Sequence, residues 1–357
     1  MINTRPAFCI PASLKYFKYV LVLLVFIIST KYIVLHTDSN HIECGCELQS
    51  KRNEYNSEFN DSISPKTNPE TFSINQTCCI PIFNGQYILN NVRMCSKSPS
   101  PVNVIVVVHT APHHFARRQN IRETYGARKL FLPTEVRVIF LLGRVDDQTL
   151  QDRILGEHFI FGDTIQGDFK DAYHNLTYKA VMGLHWVSHY CTEVKYVIKT
   201  DDDVVFDMWK FLKEVYANNL YVSKTIYGIE RFQDLIPRTG KWAVPFNILK
   251  GHTHYPFQYC IGFVLIMSAD VIIDLYRASF KVPFFWLDDV YVTGMLRHAV
   301  GGIEIIEHCG NLTFTPSSWG LNCLQETLYT CPLLALGLNK PRSYKKAWSL
   351  IKKRNEK

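Results

Sequence analysis

Continuous apolar, β-branched runs alternate with amphipathic stretches over the last two-thirds of the chain. Residues 103–109 form one such run, suited to a strand covered on both faces, and residues 136–142 form a second. A helical pattern through Arg117, Ile121 and Tyr125 follows the first run. Residues 147–159 read as a helix, 161–165 as a short strand, and 170–189 as a long helix with apolar positions at Leu176, Ala180, Val181, Leu184 and Val187. Residues 195–200 are a further buried strand. This alternation predicts an α/β domain on a Rossmann-like, mostly parallel sheet with helices on both faces. In such sheets ligands bind beyond the carboxyl ends of the strands.

The pattern before residue 102 is different. Residues 1–18 carry Arg5, Lys15 and Lys18 and no acid. Residues 19–35 are predominantly apolar and reach the lower end of the roughly 17–25 residues that cross a bilayer. Positive charge before the span predicts a cytosolic N-terminus, hence a single-pass type II signal-anchor. A cleaved signal peptide is the alternative, because the strongest apolar core is short, although no clear small-x-small cleavage site follows it. Either way the remainder is lumenal or extracellular. Residues 36–101, polar and aperiodic, read as a stem, and residues 102–357 as one large globular domain.

Ten of the eleven cysteines lie after the span, an even number that suits disulfides in an oxidising compartment. The sequons at Asn60, Asn75, Asn175 and Asn311 matter in the same setting. A secretory address also argues against a nucleic-acid partner, despite a net charge of +7 concentrated in the basic tail after residue 340. No G-x-G-x-x-G follows the first strand and no G-x-x-x-x-G-K-[ST] occurs, so a dinucleotide dehydrogenase or a P-loop hydrolase lacks its phosphate cradle.

Two acidic clusters carry the candidate chemistry. Asp201, Asp202 and Asp203 end the strand of residues 195–200. Three adjacent carboxylates between apolar flanks suit a divalent cation with oxygen ligands, although an acidic turn or helix cap uses the same residues. Asp288 and Asp289 lie in an aromatic and aliphatic stretch. Burial and mutual repulsion raise a carboxyl's pKa, which suits one of them to general-base work, and a helix cap is again compatible.

Taken in order, several segments resemble the β-1,3-glycosyltransferases of the galactosyl- and N-acetylglucosaminyltransferase type, glycosyltransferase family 31. They are residues 118–126 (with Tyr125 for the usual Trp), 138–143, 157–179, 199–204, 255–263 and 288–292. Two positions depart from the pattern. Asp288 stands where the family has Glu. Gly337, in the segment 334–337, stands where the family has a metal-holding His, which makes His308 the replacement candidate.

The resemblance implies a GT-A type fold and an inverting transfer from a nucleotide-diphospho-sugar. Asp203 and Asp201, with His308, would hold Mn²⁺ or Mg²⁺. Asp202, Arg118 and Arg122 would contact the donor, and Asp289 would act as base beside Asp288. Trp242, Tyr255 and Trp286 are candidates to stack on acceptor sugars. The expected reaction is β-1,3 transfer from UDP-galactose to a glycoprotein or glycolipid glycan at the Golgi membrane. UDP-GlcNAc is the alternative donor, and a catalytically silent sugar-binding or chaperone-like relative is a further alternative. A second copy of the chain is a candidate partner.

Overall fold

The structure, a computed structural model, describes residues 82–98, 100–307, 313–315 and 319–356. The predicted span of residues 19–35 and most of the predicted stem lie outside them, as do His308, Asn60, Asn75 and Asn311. Among the described residues no helix is long and apolar enough to cross a membrane.

The main sheet contains β1 (Tyr87–Leu89), β2 (Val104–His109), β3 (Val136–Arg144), β4 (Thr164–Lys170) and β5 (Tyr196–Asp201). β6 (Val204–Phe206) leaves it for a small second sheet, β7 (Thr225–Tyr227) returns to it, and β8 (Glu230–Arg231) and β9 (Tyr259–Cys260) make a separate ribbon. β10 (Val264–Ser268) and β11 (Glu304–Ile306) complete the main sheet, while β12 (Thr313–Thr315) and β13 (Leu333–Gly337) join β6. The strand order is β1-β4-β3-β2-β5-β10-β7-β11.

Strand direction follows expectation except at two strands. The junctions β4–β3, β3–β2, β2–β5 and β7–β11 are parallel, but β1–β4, β5–β10 and β10–β7 are antiparallel. Six of the eight strands therefore run one way and only β1 and β10 run against them, so the sheet is mostly parallel, as predicted, with two reversed strands. A strand buried on both faces has the same apolar content whichever way it runs, so the composition of Val264–Ser268 could not reveal its direction.

Side chains alternate between two cores, as a period of two requires. Ile105, Val107, Val197, Leu265 and Met267 face one core, and Val104, Val106, Val108, Ile198, Val264 and Ile266 face the other. Helices cover both faces, as predicted. On the first face lie α3 (Leu176–Tyr190) and α4 (Asp270–Ala278); on the second lie α1 (Phe115–Arg122), through Ile121, and the C-terminal α5 (Pro341–Asn355), through Tyr344, Ala347 and Ile351. The basic tail is thus no free solvated end. The Arg354 side chain within it is only 8% exposed and pairs with the fully buried Asp207.

Element edges moved for identifiable reasons. α2 (Gln148–Phe161) starts at an Asp147 cap whose carboxylate accepts from the Leu150 N–H at 3.2 Å, and it ends where Gly162 turns left-handed at φ 65°. The strand expected at residues 161–165 therefore begins only at Thr164 and runs to Lys170. The long helix expected from Lys170 begins at Leu176, after a single tight turn at Tyr173–Asn175. Residues 82–98, assigned above to the stem, join the domain: β1 pairs with β4, Phe83 enters the core, and Cys95 bonds to Cys191. Cys323 pairs with Cys331, whereas Cys260 is a buried free thiol, so the even cysteine count does not mean that every cysteine is paired.

Candidate active site

The order β4-β3-β2-β5 places strands that follow β2 on both of its sides. The reversal falls between β2 and β5, and the crevice beyond their carboxyl ends is where an open α/β sheet takes its ligand. The two strands are parallel and in register, with His109 opposite Asp201. His109 continues the Ile105–Val107 face, and Lys199 and Asp201 continue the Val197 face, so all three point to the α3 side of the sheet.

The three adjacent acids divide their roles. Asp202 turns inward and is nearly buried. Its carboxylate accepts from Thr110 Oγ1 at 2.6 Å and Arg117 at 2.7 Å, and lies 2.7 Å from His114 Nδ1. Burial alone would raise its pKa, but these partners outweigh it and hold the carboxyl below the usual carboxylate range. Its oxygens are engaged by the chain itself, so the expected donor contact from Asp202 is not what this geometry offers. Asp201 and Asp203 keep side-chain exposures of 45% and 32% and open on the cleft.

Lys199 joins the two acidic clusters. It is buried, its ammonium lies 2.9 Å from Asp201 Oδ1, and it donates to the Gly262 carbonyl. The N–H of Gly262 in turn donates to Asp289 Oδ2 at 3.2 Å, and the Val290 N–H donates to Asp289 Oδ1 at 2.8 Å. Asp289 therefore caps the following turn while its carboxylate lines the cleft, so the cap does not withdraw it from the cleft. Burial pulls the Lys199 ammonium down, but Asp201, Asp288 and Asp289 outweigh it and hold its pKa above the ordinary lysine range. Burial raises both Asp288 and Asp289, against the pull of Lys199 and, for Asp289, of its two backbone donors. Asp288 Oδ2 lies 3.5 Å from His109 Nδ1. Burial, with Lys199 and Lys179 nearby, pushes His109 well below its normal range, so its ring stays neutral.

The Gly262 peptide is thus the link between the Asp201 end of β5 and Asp289. A Cβ at this position would lie 3.2 Å from the Asp289 Cβ and 3.3 Å from Lys199 Nζ. Gly262→Ala is expected to displace Asp289 by a few tenths of an ångström. Misplaced catalytic groups lose rate steeply, so kcat should fall on the order of tenfold with little change in donor KM. Steady-state kinetics with donor and acceptor varied separately would check it, and an unchanged kcat would remove the link from the mechanism.

Arg118 and Arg122 do not reach the cleft. Arg118 is fully buried, with Nε and Nη2 on the Glu157 carboxylate and further bonds to the carbonyls of Ala111 and Pro112. Arg122 bonds Glu157 and, bidentately, Asp163, and its guanidinium lies 4.0 Å from the Phe161 ring centroid. The expectation of phosphate contact is therefore corrected: these arginines brace α1 against α2. Neighbouring Arg117 keeps 33% exposure and touches both Asp202 and Asp203. It is the cation that sequence reasoning missed at the acidic run. Lys199 was missed as well, though a lysine inside an otherwise apolar strand is a legible signal.

Hard carboxylate oxygens from Asp201 and Asp203 suit a Mg²⁺- or Mn²⁺-type ion, which commonly takes one or two carboxylates and completes its shell with water and substrate phosphate. Among the described residues no group of three or more His, Cys, Asp or Glu side chains gathers as a cation cage. Gly337 pairs with Val204, directly after Asp203, and so adds no side chain at that point.

The aromatic candidates separate too. Tyr255 is buried among Phe257, Tyr259 and the core, which removes it as a stacking surface. Trp242 is exposed and Trp286 half-buried. The Thr177 hydroxyl of the Asn175 sequon is buried and donates to the Phe285 carbonyl at 2.6 Å, so in the folded domain this sequon serves packing.

Comparison with known proteins gives the family. The galactosyltransferase family model matches residues 116–307. Beta-1,3-galactosyltransferase 1 of Homo sapiens is 33% identical over 230 residues, covering 63% of this chain and 68% of the relative. Beta-1,3-galactosyltransferase 5 of Mus musculus is 34% identical over 198 residues, 54% of this chain and 62% of the relative. UDP-GalNAc:beta-1,3-N-acetylgalactosaminyltransferase 1 of Mus spicilegus is 34% identical over 199 residues, 53% of this chain and 58% of the relative. Among solved structures, a glycosyltransferase involved in the glycosylation of the major capsid of PBCV-1 aligns over 70% of this chain and 98% of its own at 7% identity, with a TM-score of 0.36, too slight a likeness to carry an argument.

Proposed function

The chain belongs to the galactosyltransferase family, and from that premise we propose that it transfers galactose from UDP-galactose to a glycan hydroxyl in β-1,3 linkage, with inversion. The observation that carries the mechanism is the shared anchor of the two acidic clusters. Lys199 contacts Asp201 and the Gly262 carbonyl, while the Gly262 N–H holds Asp289. This fixes the leaving-group side of the cleft relative to the attacking side.

In the proposed reaction Asp289 takes the proton of the acceptor hydroxyl as it attacks the anomeric carbon from the face opposite the diphosphate. Its raised pKa improves it as a base, and its two backbone bonds fix its orientation. Neutral His109 packs behind Asp288 without adding positive charge. Arg117 places a guanidinium beside Asp203, where negative charge grows on the leaving diphosphate. Asp203 and Asp201 are the residues to hold Mn²⁺ or Mg²⁺, which when bound supplies Lewis-acid neutralisation of that diphosphate. The fold in this reading is of the GT-A type. The domain sits in the Golgi lumen on an anchor at residues 19–35, and the acceptor is a glycan of a glycoprotein or glycolipid.

A second donor is favoured by one finding. A relative 34% identical over 199 residues is named for UDP-GalNAc, so a hexosamine donor shares the proposal. The test is UDP release by the purified lumenal domain with UDP-galactose, UDP-GlcNAc and UDP-GalNAc, with and without Mn²⁺. Metal-dependent release strongest with UDP-galactose is expected. Release from none of the donors, alongside intact sugar binding, would replace the enzyme by a silent relative.

A further inference from the structure

We propose that Trp242, Tyr173 and Trp286 form a rigid aromatic wall that seats the apolar face of the acceptor's pyranose ring next to Asp289; this rests on the transferase reading above. The wall belongs to the same segment as the base. Trp286 precedes Asp288 by two residues, and the Thr177 hydroxyl fixes the backbone just before Trp286 by bonding the Phe285 carbonyl. Trp286 meets the His174 ring at 4.5 Å and the Tyr173 ring at 5.9 Å between centroids. Tyr173 then connects to Trp242, whose indole Nε1 donates to the Tyr173 hydroxyl at 3.0 Å.

Trp242 and Tyr173 keep 54% and 42% of their surface in solvent. Large aromatics left exposed on a mobile loop are unremarkable, but this loop is braced. The Arg238 guanidinium bonds the carbonyls of Val244, Pro245, Ile248, Leu249 and His252, and the Val244 N–H returns to the Pro237 carbonyl at 2.7 Å. Trp242 is therefore presented from a cross-tied loop and held against Tyr173, with its ring face pre-arranged. Lys241 lies over both rings, 4.7 Å from the Tyr173 centroid and 5.6 Å from the Trp242 centroid.

A hexose ring has one face rich in C–H bonds and a rim of hydroxyls. A flat, electron-rich aromatic surface takes that face with little loss of conformational freedom, while the hydroxyl rim stays free for a polar catalytic edge. Trp286 lies only two and three residues before the carboxylates Asp288 and Asp289 on one segment of chain, which suits a ring stacked on the wall with a hydroxyl directed at the base. A bare lipid or peptide partner would have no use for the adjoining carboxylates, so a sugar is the occupant that both surfaces fit.

The experiment pairs transfer kinetics with saturation-transfer NMR of methyl β-galactoside and methyl N-acetyl-β-glucosaminide. Trp242→Ala, at an exposed loop tip, should raise acceptor KM on the order of tenfold, with a much smaller effect on donor KM. Trp242→Phe, which keeps a ring but not the bond to Tyr173, should fall between. Phe246→Ala, on the same loop but outside the wall and 77% exposed, should leave acceptor KM alone. In NMR, saturation of the methyl glycosides' ring C–H protons should be present in wild type and lost in Trp242→Ala. An active wild type whose acceptor KM is untouched by Trp242→Ala overturns the wall. So does binding that appears only for octyl glycosides, which would show that the wall takes the aliphatic chain. A wild type that transfers nothing yet binds methyl glycosides through Trp242 overturns the transferase reading and leaves the wall standing. A wild type that neither transfers nor binds them overturns both.

Discussion

Asp289→Asn should lower kcat by at least about 100-fold while the domain stays folded, the lower end of what a positioned general base contributes. The substitution keeps the size of the side chain. The amide oxygen can still accept from Val290 or Gly262, but its NH₂ must then face the other N–H, and that lost bond costs on the order of 1 kcal/mol. Removing a buried negative charge whose pKa is already raised by burial offsets part of that cost. Donor and metal affinity should therefore stay near wild type, since neither Asp201 nor Asp203 contacts the altered group directly. Rapid-quench measurement of the chemical step, beside a melting curve, separates the two readings of this residue. A cap-only role lowers stability and leaves the activity of the folded fraction intact. Near-wild-type kcat in a folded Asp289→Asn enzyme would sink the assignment of the base.

Arg118→Ala should destabilise the domain by ~3 kcal/mol, the lower end for breaking a buried ion pair, because Arg122 still bonds the orphaned Glu157. The carbonyls of Ala111 and Pro112 lose their donors as well. For a domain of this size that corresponds to a drop in Tm on the order of 10 °C. Arg118→Lys should recover only a small part, since an ammonium cannot reproduce the paired N–H bonds on Glu157 or reach the two carbonyls together. Donor KM of the folded enzyme should stay near wild type. A phosphate-contact role makes the opposite forecast of normal melting and much weaker donor binding. Differential scanning calorimetry with a donor titration decides between them.

The difference between Arg118 and Arg117 shows where sequence reasoning runs out. They are adjacent, carry the same charge and begin the same helix, and only Arg118 belongs to the recognisable motif. A helix turns about 100° per residue, so neighbours face different ways. Which of them meets Glu157 and which meets Asp203 depends on how α1 is seated against α2 and the sheet. The same holds for the acidic run. Three consecutive aspartates are visible in the sequence, but the turn after β5 sends Asp202 to Thr110 and His114 while Asp201 and Asp203 face the cleft.

By itself the sequence determined the buried strands at residues 103–109, 136–142 and 195–200, the helices α1, α2 and α3, the family, and the two acidic clusters. Those features follow from local period and from composition at consecutive positions. Two-fold alternation even fixed that His109, Lys199 and Asp201 share faces with Val107 and Val197. The tertiary structure alone decided the reversed direction of β1 and β10, the entry of residues 82–98 into the fold, the burial of Tyr255 and Arg118, and the Lys199–Gly262–Asp289 link. Each of these depends on contacts between residues far apart in the chain, such as the 63-residue separation of Lys199 and Gly262. No local pattern encodes the direction of a strand buried on both faces or the partner of a buried charge; those are settled only when the layers pack and every polar group brought out of water must find a donor or acceptor.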